Sequence, residues 1–144
     1  MNTTLTNDTR TVSWKSTAAA AAIGALGALV INSVIALLAK AIFDIPDEFQ
    51  QLTLPVYGFL TVVGAIIGAI AWHLIVARSR KASGVLRVLV PTVVALSLIP
   101  DVMLLVDGSQ PGTTTAGVVA LMLMHVGVAV AAVPAYHRFT PPRS

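Results

Sequence analysis

Four long apolar stretches, separated by short polar segments, set the pattern of this chain: 17–39, 54–76, 85–106 and 115–136. Each is long enough, at about 1.5 Å per residue in a helix, to cross the ~30 Å hydrocarbon core of a bilayer. Polar punctuation fits between them. Residues 1–13 are Thr- and Asn-rich without apolar periodicity and are expected to form a disordered tail. Trp14 and Lys15 mark the first interface. The first stretch is far longer than the 7–15 residue core of a signal peptide, so a retained helix is expected. Asp44, Pro46, Asp47 and Glu48 make an acidic connection. There Phe43, Phe49 and Leu52 are expected to rest on the lipid surface as a short amphipathic turn, with Asp44 as a cap. A basic loop at 77–84 and a Gly/Pro turn at 107–112 follow, and the chain closes with a short tail at 140–144. Pro134 is expected to bend or end the fourth span.

Composition agrees with the pattern. The 144 residues are 56% hydrophobic and only 10% charged, against roughly 25% charged in soluble domains, and the mean hydropathy is +0.87. The expected fold is an all-α integral membrane protein, a bundle of four transmembrane helices. There is no cysteine, which excludes disulfides, thiolate metal sites and iron–sulfur ligation. The net charge of +3 does not point to nucleic acid, because the basic residues flank the spans. Arg10, Lys15, Arg78, Arg80, Lys81, Arg87, Arg138 and Arg143 fall on one side, and Lys40 alone on the other. The positive-inside rule then places both termini in the cytoplasm.

Lipid tails are as apolar as leucine, so helices in a membrane associate through close backbone approach and buried polar contacts. Ala20, Gly24, Ala28 and Asn32 recur at steps of four in the first span, and Gly64 and Gly68 form a GxxxG pair in the second. Gly117, Gly127 and Ala131 thin the fourth. These positions are expected to be packing surfaces, with either an internal contact or a homo-oligomer seam open to them. Arg78, Arg80 and Lys81 are expected to meet anionic lipid heads.

Placed by depth, Asn32, Thr61, Asp101 and His125 bring one polar side chain from each span into a common layer, toward the outer side. Ser97 lies one turn before Asp101, and Pro100 has no N–H for the Leu96 carbonyl. Intramembrane carboxylates face the bundle interior or a wet cavity. Two roles are open to Asp101. It lines an outward polar pocket with His125, or it fixes helix register. His73 and His137 invite haem ligation, but beside Trp72 and Tyr136 they are expected to be interfacial belts. No metal is expected, since Asp101 and His125 fall short of three protein ligands. No cofactor is expected, and no nucleophile or phosphate-loop motif is present.

The Ile99-Pro100-Asp101 step, His125, and the acidic connection after the first span resemble a family of small four-helix membrane proteins of high-GC Gram-positive bacteria, a domain of unknown function. The resemblance covers about 14–139 and implies the four-span architecture without an activity. The expected function is that of a non-enzymatic bundle. It binds a small apolar or amphipathic ligand, or a partner subunit, in the outer polar pocket. The alternative is a small proton- or cation-coupled transporter or channel using Asp101 and His125.

Overall fold

A computed structural model describes residues 12–142. Most of the expected 1–13 tail, with Arg10 and Arg143, lies outside the described residues. The helices are α1 (Trp14–Ile42), α2 (Leu54–Arg78), α3 (Ala82–Ser97), α4 (Ile99–Asp107) and α5 (Thr115–Phe139). With α3 and α4 forming one span, four helices are long and apolar enough to cross a membrane. The chain is therefore a multi-pass four-helix membrane bundle, and every span runs two or three residues past at least one of its expected limits.

The helix ends follow from local chemistry. The Ser13 side chain accepts from the Ser16 N–H, and Thr114 accepts from the Gly117 N–H, satisfying donors that the first turn leaves free. Pro55 stands in the first turn of α2, where its missing N–H costs nothing. The third span does not run unbroken. Pro100 withdraws the donor that would reach Leu96, and Leu98 bonds back three residues to Ala95. A new helix begins from the Leu98 carbonyl. Pro134, by contrast, neither ends nor interrupts α5, which continues to Phe139.

Small residues face inward. Ala20, Gly24, Ala28, Asn32, Ala36 and Ala39 are all buried along α1, so the expected stripe continues two turns further. It meets α5 so closely that a Cβ on Gly24 would sit 3.1 Å from the Ala132 Cα. On Gly127 a Cβ would come within 2.8 Å of Ile31 and 3.0 Å of Asn32 Oδ1. Leu26, Val30, Leu37 and Val130 point outward into lipid.

Four expectations need correction. Gly64 faces open space with nothing within 4 Å of a Cβ. The buried row of α2 is Tyr57, Thr61, Ala65, Ala69 and His73, so the register that buries Thr61 turns Gly64 outward, and Gly68 alone of the pair packs, against Tyr136. Phe49 and Leu52 do not lie on lipid. They are buried, with the Phe49 ring seated where a Cβ on Gly117 would lie only 2.8 Å from it. Phe43 alone is exposed. Asp44 caps no helix, because the 43–49 segment is extended and then turns, and only Gln50–Leu52 forms a single 3-10 turn. Across from this plug Gly112 takes a φ of 70°, and a Cβ there would meet the Phe49 backbone N at 2.8 Å, a position only glycine fits. The two connections thereby lock one end of the bundle.

Candidate functional site: an aspartate–histidine contact between the third and fourth spans

The polar layer resolves into two separate pairs. Between α1 and α2, Asn32 Nδ2 donates to Thr61 Oγ1 at 2.8 Å. Asn32 is the more deeply set, and its Oδ1 has no hydrogen-bond partner. On α5 it faces Gly127, where an added Cβ would come within 3.0 Å of that oxygen. This pair reads as packing.

The second pair joins α4 to α5. Asp101 is the one fully buried residue of α4, with Leu104 half-buried against the core beside it, and its Oδ2 lies 3.0 Å from His125 Nδ1. The same nitrogen lies 3.0 Å from the Leu121 carbonyl one turn back on α5. With its N–H directed at Leu121, Nδ1 meets the carboxylate at ion-pair distance but off the hydrogen-bond line, so Oδ2 stays a buried acceptor without an aligned donor. The two side chains differ in exposure. That of Asp101 is 7% exposed and that of His125 38%. His125 is therefore the half-open member of the pair, about 15 Å along α5 from its start, and its Nε2 has no hydrogen bond to any described residue.

Ser97 does not join this site, because its hydroxyl donates to the Val94 carbonyl in its own helix. Nor do the four polar side chains meet in one place among the described residues. A groove of about 540 Å³ does open between α1 and α5, but it is lined by Ile35, Ala39, Ile42, Ala116, Val119 and Leu123 among others and is apolar save for Thr115. His125 comes two residues after Leu123, at roughly 100° per residue, and so projects from the opposite flank of α5.

A second polar cluster was not expected. His73 and Trp72 are buried instead of lying in an interfacial belt. His73 Nδ1 and Thr17 Oγ1 share a 2.7 Å hydrogen bond, and the ring stacks on Trp14 at 3.9 Å. Trp72 Nε1 donates to the Thr140 carbonyl at 2.9 Å, while the Tyr136 hydroxyl donates to the Ala65 carbonyl. The available signal was the step of four from Tyr57 through Thr61 to His73, a row that winds about 40° per step around α2 and is buried along its length. Arg78 and Arg80 stay at the same end of the bundle with Lys81, which precedes α3. No group of three or more His, Asp or Glu side chains able to hold a metal occurs among the described residues.

Fold and site together define a multi-pass membrane protein with one intramembrane carboxylate–imidazole contact. Residues 9–141 match the model of a family of unknown function, DUF6069, and the chain belongs to that family. No curated protein and no solved structure matches it.

Proposed function

We propose that this chain is a non-enzymatic protein of the cell membrane, with cytoplasmic termini, that receives a polar group from outside itself at the open edge of the Asp101–His125 pair. That group belongs to a small amphipathic ligand or to a membrane partner, either another subunit or a second copy. The half-open His125 supports this. A ring nitrogen left without a hydrogen-bond partner within a membrane span costs free energy, and an incoming donor or acceptor removes that cost. The orientation rests on the positive-inside rule, with Lys40 the one basic residue at the far end.

Native mass spectrometry of protein released from lipid nanodiscs tests the proposal. A retained molecule or partner is expected on the wild type and lost in both His125→Phe and Asp101→Asn. An identical profile in all three rejects the idea. A second reading, proton- or cation-coupled transport, is favoured by the two titratable groups, a carboxylate and an imidazole, lying 3.0 Å apart. It requires pH-driven flux in proteoliposomes that Asp101→Asn abolishes, and flux no greater than in empty vesicles eliminates it.

A further inference from the structure

A second groove, of about 520 Å³, lies on the third span, away from the aspartate–histidine contact, and is lined by Lys81, Gly84, Val85, Val88, Leu89 and Thr92. Its chemistry is graded along its length. Lys81 stands at the mouth, preceded in the basic loop by Arg78 and Arg80. From there the lining is apolar down to Thr92, whose hydroxyl is returned to the Val88 carbonyl at 2.8 Å and so presents little polarity. Eleven residues of helix separate Lys81 from Thr92, a run of about 16 Å. That is close to half of the ~30 Å hydrocarbon thickness, the depth of one leaflet.

We infer that this groove is a binding site for one anionic phospholipid, its headgroup phosphate on Lys81 and one acyl chain along Val85, Val88 and Leu89. Charge complementarity selects the occupant. A cation at the interface followed by one leaflet's depth of apolar wall matches a lipid with a negative head and a long tail, and the α1–α5 groove offers no such cation. The space beside Gly84 is open, since nothing lies within 4 Å of where its Cβ would be. The start of α3 adds to the attraction, because no side chain caps it and its first N–H groups favour a negative charge. The site is distinct from the general attraction of a basic loop for a charged surface, because it requires both the head contact and the groove.

The full chain in nanodiscs of mixed phosphatidylglycerol and phosphatidylcholine provides the test, with retained lipid read by native mass spectrometry. Wild type is expected to hold one phosphatidylglycerol in preference to phosphatidylcholine. Lys81→Gln is expected to lower that preference about five-fold, the effect of one interfacial charge, while Arg138→Gln on α5 leaves it nearly unchanged. Val88→Trp, at a position 67% exposed, is expected to reduce retention of both lipids by filling the groove. Equal losses in Lys81→Gln and Arg138→Gln would show diffuse attraction and overturn the site. So would undiminished retention in Val88→Trp, or displacement of the bound species by inorganic phosphate alone.

Discussion

The α1–α5 seam and the third span are held to the molecule by opposite means. Along the seam, Gly24, Ala28, Gly127 and Ala132 bring two backbones nearly into contact. The third span, at similar hydropathy, buries only Ala82 and Leu86 of α3 and Asp101 of α4. Its one ionisable anchor is the contact to His125. Hydropathy therefore does not rank these helices by their role in the bundle. In a membrane the number of close van der Waals contacts does, and small residues supply them. A span with bulky residues all round stays at the edge, where one polar contact has a large share in positioning it.

This contrast is open to measurement. Enlarging the seam should have the greatest effect. Gly24→Leu and Gly127→Leu push side chains into Ala132 or into Ile31 and Asn32, and each is expected to cost about 3 kcal/mol, seen as a large fall in thermal unfolding temperature in detergent. Unfolding close to that of the wild type would mean that the seam is not what holds the bundle.

Breaking the anchor should matter less to stability and more to the position of the third span. A double-mutant cycle with Asp101→Asn and His125→Phe is expected to give a coupling of about 1 kcal/mol, within the range found for polar contacts between membrane helices. A spin-label pair spanning α4 and α5 should broaden in both single variants, while a label pair on α1 and α5 stays sharp. Broadening at both places would show that the anchor supports the whole bundle. The smallest effect belongs to Gly64→Ala, which points into open space and is expected to change stability by less than about 0.5 kcal/mol. A loss as large as at Gly24 would place Gly64 in an interface with another molecule.

Much of the architecture could be read before folding. Span number and the approximate limits follow from hydropathy, because a helix must be about twenty apolar residues long to cross a bilayer. The small-residue stripe of α1 was equally visible, since a step of four keeps residues on nearly one face. The same rule did not say what Gly64 meets, because a stripe shows which residues share a face and not whether that face has a neighbour within the chain. Phe49 and Leu52 were misplaced for a related reason. An aromatic beside acidic residues is suited to an interface, and only the opposing connection with Gly112 makes a buried seat for it. His73 followed the same course, drawn inside by Thr17 and Trp14, residues far from it in sequence.

The sequence by itself determined that this chain belongs in a membrane, how many times it crosses, and which side chains are chemically equipped to meet there. Tertiary structure decided which of them do. Asn32 joined Thr61, Asp101 joined His125, and Ser97 joined neither. Depth along a helix can be counted from residue number, but rotation about the axis is set by whichever neighbour packs closest, and that neighbour is chosen only when the helices assemble.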